Sequence, residues 1–158
     1  MPHDLHQVDR IIDAEVDALY NQALEVADAL RDKMGLVNER DRVQRQGKYT
    51  RLRLRVRIRM TSGHRRLVID WSVRDYFRKK EGGWGYRTRA LTKRRGESYP
   101  ISRLRRLAGE ELADDVEQAE QFFALCRTQQ SMLSDIRRRS QWIKNRKEQI
   151  AQKKPALG

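Results

Sequence analysis

At 158 residues the chain has the length of one domain, 1–158, with a modest core, and 36% of its side chains are charged against roughly 25% in an average protein. Thirty-five Lys and Arg outweigh 22 Asp and Glu for a net charge of +13, which favours an anionic partner such as nucleic acid. No apolar run approaches the ~18 residues of a membrane span, the longest being "FFALC" at 122–126, so a membrane protein is excluded and a cytoplasmic one expected.

The charge is segregated. Residues 1–34 carry three basic and eight acidic side chains, residues 40–106 carry 23 and five, residues 109–136 one and seven, and residues 137–158 eight and one. Solubility alone is served by mixed signs. The acidic start "MPHDLHQVDR" lacks the regions of a signal peptide, and a single cysteine, Cys126, excludes an intrachain disulfide. Its apolar neighbours place Cys126 in the core.

In chain order, Leu5, Val8, Ile12, Val16, Leu19, Ala23, Val26 and Leu30 recur at steps of three and four. This spacing predicts a seamed helix over 5–34, with Asp4 as N-cap and Gly35 as the C′ residue that ends it. The polar stretch 38–48 reads as a connector. Residues 49–60, "YTRLRLRVRIRM", then switch to a period of two. A strand puts Leu52, Leu54, Val56, Ile58 and Met60 on one face and Arg51, Arg53, Arg55, Arg57 and Arg59 on the other. The aliphatic face must be buried; the arginine face is left to solvent or a polyanion.

"TSGH" at 61–64 is a hairpin turn, and "RLVIDWSVRDY" alternates again, with Leu67, Ile69, Trp71 and Val73 on the apolar side. "RKKEGG" at 78–83 is a second turn, and "WGYRTRALTK" sets Trp84, Tyr86, Thr88 and Ala90 against Arg87, Arg89, Leu91 and Lys93. The expectation is a basic meander over 49–93 with one apolar and one basic face. After the loop "RRGESYP", Ser102 is placed to cap a short helix, "RLRRLAG". A long helix runs from about 110 to 153 with a possible kink at "RTQQS", 127–131, and a basic tail. Its core seam is Leu112, Val116, Ala119, Phe123, Cys126 and Leu133. A second row holds Phe122, Leu125, Met132, Ile136, Ile143 and Ile150.

The expected fold is α+β, two long seamed helices flanking a three-stranded antiparallel β-meander in the order α-β-β-β-α. The helices lie antiparallel against the even face of the sheet. The second outruns the first by about 14 residues, roughly 20 Å at 1.5 Å per residue. Trp142, Ile143 and Ile150 on the projecting tail then lack an intrachain partner, which points to a second protomer or another protein, with a coiled-coil homodimer expected first.

Edge strands use a charge or two against aggregation, but five arginines exceed that need, and the guanidinium fork suits phosphate. The candidate nucleic-acid residues are Arg51, Arg53, Arg55, Arg57, Arg59, Arg66, Arg74, Lys79, Lys80, Trp84, Arg87, Arg89, Lys93, Arg94 and Arg95. Aromatics interleave with these cations, which suits stacking on bases as well as charge. Chemistry is weakly signalled. His3 and His6 have no third metal ligand, "EGGWG" lacks the Lys and Ser/Thr of a phosphate loop, and Asp70 and Asp75 have opposite parity on one strand. No catalytic residue, metal or cofactor is expected.

"LVIDW", a turn, then "GYRTRALTKRRGESYPISRL" and a long acidic helix resemble the MobI-type auxiliary mobilisation proteins of conjugative elements and plasmids, over roughly residues 48–125. The resemblance implies a cytoplasmic, DNA-associated factor at an origin of transfer that helps the relaxase without cutting DNA itself. It carries over no single functional residue. From the residues themselves the expectation is a non-enzymatic protein that presents a basic sheet to duplex DNA. The alternatives are an RNA-binding protein and a coiled-coil adaptor between proteins.

Overall fold

The three-four seam of the first segment forms helix α1, Leu5–Val43, in a computed structural model that describes residues 5–43, 50–94 and 96–156. Ile12, Val16, Leu19, Ala23, Ala27 and Leu30 are buried along one stripe. The helix does not stop at Gly35. Met34 is buried at the expected end, Val37 beyond it packs against the core, and the Asn38 side chain accepts the Thr50 N–H at 3.0 Å. These contacts outweigh the ~1 kcal/mol by which glycine disfavours a helix interior. Residues 38–43 of the expected connector are therefore helical, and Asp4 and residues 44–49 lie outside the described residues.

Strands β1 (Leu52–Thr61), β2 (His64–Arg78) and β3 (Trp84–Ala90) form one antiparallel sheet in the order β1-β2-β3. Leu52 pairs with Val73, Leu54 with Trp71, Val56 with Ile69 and Ile58 with Leu67, so the aliphatic rows of both strands share a face. That face packs on α1 and on the final helix. Met60 departs from the expected row: it is 59% exposed.

Helix α2, Ile101–Ala108, starts one residue before Ser102. Pro100 is its N-cap, with no side-chain capping bond, and the Pro100 carbonyl accepts the N–H groups of Arg103 and Leu104 at 3.1 Å. A 3₁₀ turn at Glu110–Leu112 leads into α3, Ala113–Lys153, which runs unbroken through residues 127–131. At 39 and 41 residues the long helices are nearly equal, not 14 residues apart. The tail still projects, because the pair is staggered. Arg40 pairs with Glu111 and Lys33 with Asp115 at one end, while Arg137 reaches Asp9 and Asp13 at the other. Residues of α3 beyond about 143 therefore pass the start of α1, and Trp142, Ile143 and Ile150 are exposed.

A polar cluster that the hydrophobic periodicity does not announce fastens α3 to the sheet. Glu120, 1% exposed, accepts the Trp71 indole N–H at 2.6 Å and the Tyr99 backbone N–H at 2.8 Å. Its carboxylate is paired in two directions by Arg127, which also donates to the carbonyls of Ile69 and Glu97. Gln130 accepts the Leu67 N–H one turn further on. The three-residue step of Arg127 and Gln130 faces the sheet, so "RTQQS" is a polar contact rather than a kink.

Candidate nucleic-acid interface

The registers of the two hairpins decide which side chains share the open face of the sheet. Arg53 lies opposite Ser72, Arg55 opposite Asp70, Arg57 opposite Val68 and Arg59 opposite Arg66, all turned away from the helices. Beside them the Arg51 carbonyl accepts the Arg74 N–H at 2.9 Å, which extends the strand pairing by one residue. Asp70 is the carboxylate among them, 3.3 Å from Arg55 and 3.7 Å from Arg57. Arg53 turns back to the carbonyls of Thr50 and Leu52 and reaches the Tyr76 hydroxyl at 3.5 Å.

The edge of β1 is also met from α1. Arg31 of α1 donates to the Leu54 carbonyl at 3.2 Å, and Arg65, on the helix side of the sheet, pairs with Asp17 of α1 at 2.7 Å. Within the arginine row, Arg53 covers the Thr50 and Leu52 carbonyls of this edge, while Arg55 and Arg57 turn to Asp70. Only part of the row thus serves the edge.

β2 is longer than either neighbour. β1 pairs with residues 64–73 of it and β3 with residues 72–78, so the two outer strands overlap for only a short stretch. From Arg74 to the tip, β2 and β3 form a two-stranded ribbon beyond β1. Gly82 and Gly83, at φ of 91° and 83°, close its turn, and Lys79 and Lys80 stand exposed there. Glycine takes such left-handed angles at little steric cost.

The ribbon corrects the expected faces of β3. Thr88 pairs with Arg74, Tyr86 with Tyr76 and Trp84 with Arg78, so the aromatic row joins the arginine face. Arg87 and Arg89 pair with Asp75 and Val73 and turn to the helix side, with Leu91 entering the core on the same parity. Arg89 binds Asp75 at 3.3 Å, and Arg87 lies 5.2 Å over the Phe77 ring. Phe77 itself crosses Gly85 so closely that a Cβ there would meet its ring at 2.9 Å. On the open face Arg74 stacks 4.2 Å over Tyr86, which meets Tyr76 edge-on at 6.2 Å. Trp84 is 72% exposed.

Lys93 lies past the end of β3 and holds Glu97 at 3.4 Å. Burial pushes the Glu97 carboxyl up, but the Ser131 hydroxyl and Lys93 outweigh it, and the net direction is down. Arg94 joins Lys93, Arg103 and Arg106 around a cleft of about 590 Å³ at the start of α2. Arg103 and Arg106 were not singled out by the strand pattern; their clustering with Arg94 depends on how the loop folds back. Arg95 lies outside the described residues.

Tyr76, Phe77 and Tyr86 are likewise site candidates that charge alone does not flag. Their signal in the sequence is the aromatic interleaving with base. Among the described residues no group of three His, Cys, Asp or Glu side chains gathers to hold a metal, and no helix is long and apolar enough to cross a membrane.

The family model for the MobI protein matches residues 19–141, a wider span than the residues that carried the resemblance. No curated protein and no solved structure gave a match.

Proposed function

This chain belongs to the MobI protein family, and on that premise we propose that it is a non-enzymatic DNA-binding auxiliary factor of conjugative mobilisation. It acts in the cytoplasm as a homodimer, engages duplex DNA at an origin of transfer and helps the relaxase begin processing there. The observation that supports DNA contact is the uncovered, cationic and aromatic face of the sheet and its ribbon. Arg51 to Arg59, Arg66 and Arg74 supply phosphate contacts, and Lys79 and Lys80 lead the ribbon tip. A two-stranded ribbon is one of the few elements that fits the roughly 12 Å major groove. Trp84, Tyr86 and Tyr76 supply flat surfaces for sugar or bases.

The test is competitive binding of the purified protein to duplex DNA, single-stranded DNA and RNA over a salt series. Duplex DNA is expected to bind tightest, with affinity falling steeply as salt rises, because each phosphate contact releases counterions. Preference for single strands or RNA loops would reassign the same surface, since the narrow major groove of A-form RNA does not admit a ribbon. Weak binding to all three would favour an adaptor between proteins. The exposed apolar row on α3 gives that second reading its support.

A further inference from the structure

The outer surface of α3 carries an apolar stripe that the chain leaves uncovered. Leu125, Met132, Ile136, Ile143 and Ile150 are all exposed, and they follow one another at steps of seven and four. At 3.6 residues per turn such steps keep one side of a helix, with a slow drift. Toward the start of α3 the stripe runs into a groove of about 360 Å³ between α1 and α3, floored by Val26, Ala29, Leu30, Ala119 and Phe122. Lys33, Asp115 and Gln118 stand at its rim, with Lys33 bound to Asp115.

We propose that this groove and stripe receive the projecting tail of a second copy of the chain, with the two α3 helices antiparallel about a two-fold axis near Ser134. The inference rests on the dimer reading alone, not on DNA binding. In this register Ile143 meets the partner's Leu125, Ile136 meets the partner's Met132, and Ile150 comes level with the partner's Gln118 at the groove. The two halves of the seam, Gln118–Met132 and Ile136–Ile150, are of equal length, so each half covers the other without remainder.

Charge selects a second copy and the antiparallel sense. The basic end of α3, residues 137–153 with seven basic and one acidic side chain, lies along the partner's acidic half of the helix, residues 113–136 with five acidic and one basic. Lys153 comes level with the partner's Asp115, which Lys33 already holds at 2.7 Å, and the chain beyond it leads toward the partner's Asp114. Asp114 holds Arg105 on one side, yet its side chain is 82% exposed and accepts more. Arg139 and Arg146, which interrupt the stripe, meet Gln129 and Phe122 instead of each other. A parallel pair would stack both arginines and both tails on their like charges. Closed two-fold contacts of this kind, in which residue i meets j and j meets i, are the commonest form of homo-oligomer.

Sedimentation of the full chain, together with oxidation of cysteine variants, tests the arrangement. The variants are Leu125→Cys, Ile143→Cys and the double substitution, all at exposed positions where the fold should persist by circular dichroism. Native Cys126 is buried, and burial pushes its thiol up, so it stays out of the exchange. The expected result is a wild-type dimer in which only the double variant forms a disulfide-linked dimer. A monomeric wild type overturns both this interface and the dimer reading. A dimer whose single variants self-link, or whose double variant does not link, overturns the antiparallel register and leaves the dimer standing.

Discussion

At the scale of single residues, the most informative contacts are polar and buried. Glu120 and Arg127 are 1% and 5% exposed in their side chains, and between them they hold Trp71, Tyr99, Ile69 and the loop at Glu97. A buried pair adds little net stability against an apolar substitute, but breaking it leaves a charge stranded. Glu120→Ala should therefore cost about 3–5 kcal/mol in urea unfolding, with the loss coming from an unpaired Arg127 and from the Trp71 and Tyr99 N–H groups left without their acceptor. The joint variant Glu120→Leu/Arg127→Met should recover much of it; a double variant worse than Glu120→Ala would assign the network a further role. Cys126 supplies a simpler check. Burial raises its thiol above the ordinary value, so at any pH less thiolate is present to react. Alkylation by iodoacetamide at pH 8 should be slow in the folded protein and fast in urea, and rapid labelling of the native state would contradict the buried placement.

At the scale of elements, legibility in the sequence followed burial. The strict alternation from Arg51 to Met60 fixed β1 and its two faces, since only one face had anything apolar to bury. β3 has no such guide. Its ribbon projects past the helices, so neither face is forced inward, and the alternation of Trp84, Tyr86 and Thr88 marks a period but not a side. The register Val73 to Arg89 settles the side, and a register is a long-range property. Gly35 failed as a stop signal for the same kind of reason: Met34, Val37 and Asn38 have partners that lie elsewhere in the chain. The Glu120–Arg127 contact was invisible because an acidic helix offers many carboxylates and no local rule says which is buried.

The same geometry sharpens the expected effects on DNA. Changing Arg53, Arg55 and Arg57 to Gln together should preserve the fold and flatten the salt slope by about 2.7, at 0.9 per phosphate contact. Asp70 competes for two of these arginines. Asp70→Asn should therefore raise affinity for duplex DNA, and a loss of affinity instead would mean that Asp70 positions the guanidiniums. If the ribbon enters the major groove, both of its faces approach the walls. Arg87→Gln, on the helix side, should then weaken binding about as much as Arg74→Gln on the open side. A silent Arg87→Gln would restrict DNA to the open face.

At the scale of the whole molecule, the segregated charge has two uses. Inside the chain it aligns α1 with α3: Arg40 and Lys33 meet the acidic start of α3, and Asp9 and Asp13 meet Arg137. Apart from the largely covered Arg137, these pairs are solvent-exposed and add little energy, but they oppose a reversed or shifted pairing of two similar helices. What they leave unbalanced is the basic sheet and the basic tail. If the tail is spent on a partner's acidic half, the sheets remain as the cationic surface, two to a particle. Ile143→Asp places a carboxylate in the seam and should give a folded monomer with every strand arginine intact. Apparent affinity for a duplex long enough to engage both sheets should then fall on the order of a hundredfold through lost effective concentration. The salt slope should fall to about half, since one sheet now releases counterions instead of two. A monomer that keeps both the affinity and the slope of the wild type would show that a single sheet accounts for all the DNA contact, with the second protomer contributing none.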